Sequence, residues 1–118
     1  MIPKRVTAKQ LKGKKAEQII KVGGRDYIIS FNFGVMGELE EIYGDINIAL
    51  AELQKGKIKS IINLMYAIMS QEDGNEDLTV KKVGKMLDQN FMSEITSKMG
   101  KAMRNDFGEA EEKEEVGE

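Results

Sequence analysis

The sequence predicts a single α+β domain, mainly α-helical, in which an N-terminal β-hairpin packs on about four to five helices. Three observations favour this fold class. From Ala16 to Phe33 apolar and polar residues alternate with the period of a β-strand. From Val35 onward apolar residues recur every three or four positions, as in helices. The chain has 118 residues, 41% of them hydrophobic, which is enough for one small core.

The predicted hairpin joins two β-rich runs. Gly23-Gly24 separates them, and two glycines at such a point indicate a tight turn, because glycine tolerates positive φ angles. An isolated hairpin is marginally stable in water. We therefore expect it to lie on the helices or to pair with another chain along an open edge. The apolar residues of the alternation are Ile20, Val22, Tyr27, Ile29, Phe31 and Phe33.

Two helices are expected next. The first carries an apolar stripe and ends where Gly44 can close it, and Asp45 can cap the second, which is short and stops at Gly56. Charged residues of the first helix lie off its stripe. The stripe of the first helix is Val35, Met36, Leu39, Ile42 and Tyr43, and that of the second is Ile46, Ala49, Leu50 and Leu53.

The remaining helices surround a central one. Residues 58–69 are apolar on nearly every side, which is typical of a helix buried among others. Residues 71–77 form a polar, acidic loop, after which Thr79 can cap a fourth helix. The last element carries apolar residues at helical spacing and ends near Phe107-Gly108. The pattern leaves open whether these last two are separate or one bent helix. Their apolar residues are Val80, Val83, Met86 and Leu87, followed by Phe91, Ile95, Met99, Ala102 and Met103.

Both ends of the chain differ in charge from the middle. Residues 1–15 hold six bases and no acid, and residues 109–118 hold six acids and one lysine. The formal net charge of −2 thus hides a strong asymmetry. We expect a flexible basic arm over 1–15, one domain over 16–107, and a disordered acidic tail over 108–118.

Composition excludes several kinds of chemistry. The chain has no Cys and no His, so disulfides, Cys/His zinc sites and catalysis by Cys–His pairs or Ser–His–Asp triads are ruled out. The acidic loop fails the EF-hand spacing, because position 12 counted from Asp73 is Gly84. We therefore expect no catalytic residue, no metal site and no cofactor. No stretch reads as a membrane helix or a secretory signal, so an intracellular, soluble protein is expected.

Methionines on the last helix are the candidate partner contacts. Met92, Met99 and Met103 fall on one side of it, and unbranched thioether side chains repack easily against different partners. The alternative is that these methionines fill the core of the domain. Core filling is the more common role of such methionines.

A nucleic-acid interface is the alternative function. Residues Thr79–Leu87 could form a recognition helix on which Lys81, Lys82 and Lys85 meet phosphates. However, the domain is net acidic, whereas proteins that bind nucleic acid usually carry a basic footprint. Nucleic acid is therefore not the expected partner.

Two short motifs, in their order and spacing, resemble those of a known family. The first is Phe33-Gly-Val-Met-Gly-Glu-Leu-Glu-Glu-Ile-Tyr-Gly44, and the second is Leu78-Thr-Val-Lys-Lys-Val-Gly-Lys-Met-Leu87. Between them lie Ala49-Leu50, Gly56 and Leu64-Met-Tyr-Ala67. Over residues 18–104 the chain resembles the small tail assembly chaperones of long-tailed bacteriophages and prophages.

The resemblance implies a protein that binds other proteins and is not an enzyme. Chaperones of this family coat the tape measure protein, keep it soluble and help to recruit tail-tube subunits. They act in the cytoplasm of the host bacterium and are absent from the mature virion. Self-association along the client is expected as well, since it would add avidity.

Overall fold

A computed structural model describes residues 17–108 of the chain. Its element order confirms the mainly helical α+β class with an N-terminal hairpin. The predicted arm over 1–15 and the predicted tail over 108–118 lie outside the described residues, apart from Gly108. The elements are β1 (Gln18–Val22), β2 (Arg25–Ile29), α1 (Phe33–Tyr43), α2 (Ile46–Gln54), α3 (Ile58–Met69), α4 (Val80–Met86), α5 (Gln89–Met103) and a closing π-helical turn (Arg104–Gly108).

The hairpin is antiparallel and closes as predicted. Gly23 and Gly24 have φ angles of 61° and 83°, and two consecutive positive angles are those of a type I′ turn, which matches the twist of the flanking strands. The inward side chains of both strands are buried against α3 and α5. At the outer edge of β1, the Lys98 ammonium of α5 donates a hydrogen bond to the Ile19 carbonyl. The hairpin therefore lies on the helices of its own chain.

Side-chain and glycine caps delimit α1 and α2. The Asn32 side chain accepts a hydrogen bond from the Val35 amide at 2.9 Å and so begins α1. Gly44, with a φ angle of 86°, ends that helix in the left-handed conformation. Asp45 then caps α2 by accepting from the amides of Asn47 and Ile48. The predicted Gly44-Asp45 boundary is confirmed.

The position of Phe33 corrects the sequence prediction. The strand-like alternation extends to this residue, yet β2 ends at Ile29, and Phe33 is the first residue of α1. Phe31 still points inward and is buried, whereas Phe33 is 88% exposed. The physical reason is the Asn32 cap, which turns the chain into a helix one residue before Phe33.

Helix α3 is the centre of the domain. Eight of its twelve residues are buried, which confirms the prediction from its nearly continuous apolar sequence. Its buried Asn63 and Ser60 are both paired with the hydroxyl of Tyr43, at 3.0 and 3.1 Å. Tyr43 ends α1 beside the start of α3, and Gly34, in the first turn of α1, lies beside Gln71, just after the end of α3. The two helices are thus antiparallel neighbours.

The acidic loop after α3 is tied to the hairpin. The Arg25 guanidinium donates to the Asp73 carbonyl at 2.8 Å and lies 3.6 Å from the Glu72 carboxylate. The side-chain amide of Asn75 donates through Nδ2 to the Met69 carbonyl at 2.8 Å and to the Tyr27 hydroxyl at 3.0 Å. These contacts give the loop a structural role.

Helices α4 and α5 are separate elements, which answers the question that the sequence left open. Leu87 is extended and Asp88 caps α5 by accepting from the Phe91 amide at 3.1 Å. After α5, the π-helical turn folds back onto Phe31. The Asp106 carboxylate accepts from the Phe31 amide at 3.0 Å, and the Phe107 ring packs against that of Phe31 with centroids 5.5 Å apart. The turn therefore closes the core at the junction of β2 and α1.

Candidate functional site

The candidate functional site is the outer side of α1. Phe33, Gly37, Glu40 and Glu41, which we call the α1 outer face, follow the spacing i, i+4, i+7 and i+8. Residues at this spacing share one side of a helix. All four are exposed, whereas the opposite side of α1 packs into the core. The face therefore presents an aromatic ring, a bare stretch of backbone and two carboxylates in succession.

Phe33 is the most unusual member of the face. The other large exposed apolar side chains among the described residues are 37% to 65% exposed, against 88% for Phe33. Its backbone is held by the buried Phe31, two residues before it, and by the hydrogen bond from the Val35 amide to the Asn32 side chain, which spans it. Burying such a side chain is worth about 1.5–3 kcal/mol, a gain that the folded domain forgoes here. Aromatic side chains, Phe among them, are enriched in protein–protein interfaces.

Gly37 leaves the middle of the face open. A β-carbon built at this glycine would meet no other atom within 4 Å. Packing within the described part of the chain therefore gives no reason for glycine at this helical position, where alanine is the better helix former. Its effect is to let another segment approach the backbone of α1 closely, one turn away from Phe33.

Formal charges on and around the face are negative. Residues 32–54 contain five acids and no base. Of these acids, Glu52 is paired with Lys55 at 3.0 Å, and the hydrogen bond from Lys55 lowers the pKa of that carboxyl group. Among residues 17–108 no ion pair involves Glu38, Glu40 or Glu41. The acids on and beside the face are thus available to a cationic partner.

The three methionines predicted to contact a partner differ in how deeply they are buried. Met99 is only 4% exposed and belongs to the core, next to Ile95 and Ala102 on α5. Met92 and Met103 are half-buried and pack against that core. The reason is that the hairpin and α3 cover the apolar side of α5. Met99 is therefore not presented by the folded domain, while a partner contact through Met92 or Met103 stays a prediction.

The lysines of the predicted recognition helix lie on α4. Lys81, Lys82 and Lys85 are all exposed, and Thr79 caps the helix as expected by accepting from the Lys82 amide at 3.1 Å. The Lys82 ammonium turns back and donates to the Asp77 carbonyl at 3.1 Å. Lys81 and Lys85, one turn apart, are left facing solvent. The helix is seven residues long, and nucleic-acid binding through it stays a prediction.

Within residues 17–108 no group of three or more acidic side chains is placed to hold a metal ion. No helix in the same range combines the length and the apolar composition needed to cross a membrane.

Sequence reasoning missed the α1 outer face. The strand-like alternation includes Phe33 and so predicts it to lie in the hairpin on the same side as Phe31. One signal could have revealed it: Asn32 is a preferred N-cap residue immediately before the helical pattern, and the residue after an N-cap begins the first turn, part of which is commonly exposed.

Comparison with known proteins identifies no relative of this chain. No family model, curated protein or solved structure matches this chain. Its function is therefore inferred from its own residues and from the resemblance of its motifs.

Proposed function

We propose that this chain is a tail assembly chaperone of a bacteriophage or prophage, a protein that binds other proteins and catalyses no reaction. Its client would be the tape measure protein, which it keeps soluble in the cytoplasm of the host bacterium and brings to the tail-tube protein. It would act before the virion is complete and would self-associate along its client. The support comes from the resemblance of residues 18–104 and from the surface that those residues build.

The exposure of Phe33 carries the proposal. Phe33 is the first residue of the first resembling motif, and the motif ends at Gly44, which also ends α1. The residues that carry the resemblance therefore build the α1 outer face. A chaperone for a long helical client needs an apolar anchor that is accessible before the client binds. A ring that is 88% exposed on a fixed backbone meets that need.

Co-expression with the tape measure protein tests this function. The tape measure protein encoded beside this chain should accumulate in the soluble fraction when both are expressed, and the two should copurify. Without the chain the client should aggregate. Equal solubility of the client with and without the chain, together with no copurification, would contradict the proposal.

Nucleic-acid binding is the second candidate, favoured by the exposed Lys81 and Lys85 on α4. It predicts an affinity for duplex DNA that falls steeply as salt rises, because bound counterions are released from the phosphates. It also predicts weaker binding after Lys81→Ala and Lys85→Ala. Negligible binding at low salt would eliminate this candidate without touching the chaperone proposal.

A further inference from the structure

Opposite charges lie on two stretches of this chain. Residues 1–15 carry six bases and no acid, whereas residues 32–54 carry five acids and no base. The second stretch includes the whole α1 outer face, and its Glu40 and Glu41 have no ion-pair partner among the described residues. Such complementarity favours contact between the two stretches at low ionic strength.

The arm joins the domain close to that face. Gln18 pairs with Ile29 at the open end of the hairpin, and only three residues separate Ile29 from Phe33. Sixteen residues precede Glu17, and an extended chain covers roughly 3.3 Å per residue, so they can span about 50 Å. Helix α1 has eleven residues and is therefore about 16 Å long. The arm can reach every part of the α1 outer face within the same molecule.

The apolar composition of the arm also fits the face. Val6 and Leu11 stand between its basic residues, and Ile2 precedes them. An arm lying along α1 could therefore cover the Phe33 ring with an apolar side chain and place lysines near Glu40 and Glu41. The open space at Gly37 would let its backbone come close.

The acidic segment 109–118 is the rival electrostatic partner that carries the most acids, six against four in the acidic loop 71–77. It holds six acids, but Val116 is its only large apolar residue. It can therefore offer charge and almost no apolar surface, whereas the α1 outer face offers both. This difference favours the α1 outer face.

We propose that residues 1–15 bind the α1 outer face of their own chain and shield Phe33 from solvent. Tethering makes the encounter intramolecular, at an effective concentration of the order of millimolar for short linkers. If the face is also the client site, a consequence that rests on the proposed function, the arm competes with the client and is displaced when the client binds.

Paramagnetic relaxation enhancement in the full-length chain tests the proposal without any client. The chain has no Cys, so Thr7→Cys provides a single site for a spin label in the arm. At low salt the amide signals of Gly37, Glu40 and Glu41 should lose intensity, and they should recover at about 1 M salt, where the Debye length is about 3 Å. Amide spectra of each variant also report whether it is folded.

Two matched double variants identify the surface that the arm binds. Glu40→Gln with Glu41→Gln should abolish the broadening on α1. Glu111→Gln with Glu112→Gln makes the same change in net charge on the acidic segment and should leave the broadening intact. The opposite pattern would assign the arm to that segment and overturn the proposal.

A mixed sample separates contact within one chain from contact between chains. Spin-labelled chains without the isotope are combined with isotope-labelled chains that lack the spin label. The proposal predicts no broadening of α1 signals in this mixture. Broadening there, or a spin-labelled chain with no broadening on α1 at low salt, would contradict docking within the same molecule. Neither result depends on whether the tape measure protein is the client.

Discussion

Replacing Gly37 by alanine should stabilise the domain. A glycine inside a helix costs about 0.5–1 kcal/mol relative to alanine. At Gly37 the added β-carbon would meet nothing within 4 Å, and the backbone is helical, so no packing or strain term opposes the gain. For the 92 residues from 17 to 108, a gain of 0.5–1 kcal/mol corresponds to an increase in Tm of about 2–8 °C.

Gly44 provides the matched control. A β-carbon there would also meet nothing within 4 Å, but the φ angle is +86°. A residue with a side chain costs roughly 1–2 kcal/mol in the left-handed region, so Gly44→Ala should lower the Tm. The two substitutions add the same methyl group in equally open surroundings and differ in backbone conformation alone.

Thermal unfolding followed by circular dichroism at 222 nm measures both effects. It should be recorded at about 1 M salt, where electrostatic contacts of the basic arm are screened. A lower Tm for Gly37→Ala would refute the reasoning, because it would mean that another part of the chain packs against this position. A Tm unchanged by Gly44→Ala would refute the assigned end of α1.

Three further substitutions test the interior, each by denaturant unfolding. Met99→Ala should lower the free energy of unfolding by about 2–5 kcal/mol, because it leaves a cavity in the core. Met92→Ala should lower it clearly less, because Met92 is only half-buried. Equal, small losses in the two variants would place Met99 on the surface. Asp106→Ala removes the acceptor of the part-buried Phe31 amide, so it should lower the free energy of unfolding by about 1–3 kcal/mol. Hydrogen exchange at the Phe31 amide should also become faster. Unchanged exchange at Phe31 would show that the π-helical turn does not close the core in solution.

Much of the fold follows from local patterns in the sequence. The hairpin is predicted because Gly23-Gly24 satisfies the turn, and the ends of α1 and α2 are predicted because Gly44, Asp45 and Gly56 have conformational preferences that act locally. The central position of α3 follows from its uniformly apolar sequence. These features depend on a few neighbouring residues, so the periodicity of apolar residues and the capping residues are enough to predict them.

The features that the sequence did not predict depend on contacts between distant segments. Met99 is a core residue because β1, some eighty residues earlier in the chain, lies on α5. The π-helical turn is held by the hydrogen bond from the Phe31 amide to the Asp106 carboxylate. No local rule predicts this contact, because the two residues are 75 positions apart. The prediction for Phe33 is wrong for another reason. Phe33 fits both the strand-like alternation before it and the first turn of the helix after it, and only the Asn32 cap marks where the helix begins.

The central claim is that Phe33 anchors the client of a chaperone, and one comparison of affinities tests it most directly. The dissociation constant for the tape measure protein is measured with the unchanged chain, with Phe33→Ala and with Ile58→Ala. Ile58 is the matched control, since it is a large apolar side chain that is 65% exposed at the start of α3, outside the α1 outer face. Both variants should fold normally because neither side chain is buried.

Loss of an aromatic anchor typically costs 2 kcal/mol or more, so Phe33→Ala should weaken binding by about 30-fold or more. Ile58→Ala should leave the dissociation constant within about twofold, as expected for a surface residue outside the contact. Equal affinities for the unchanged chain and Phe33→Ala, or equal losses in both variants, would contradict the assignment of the client site to the α1 outer face.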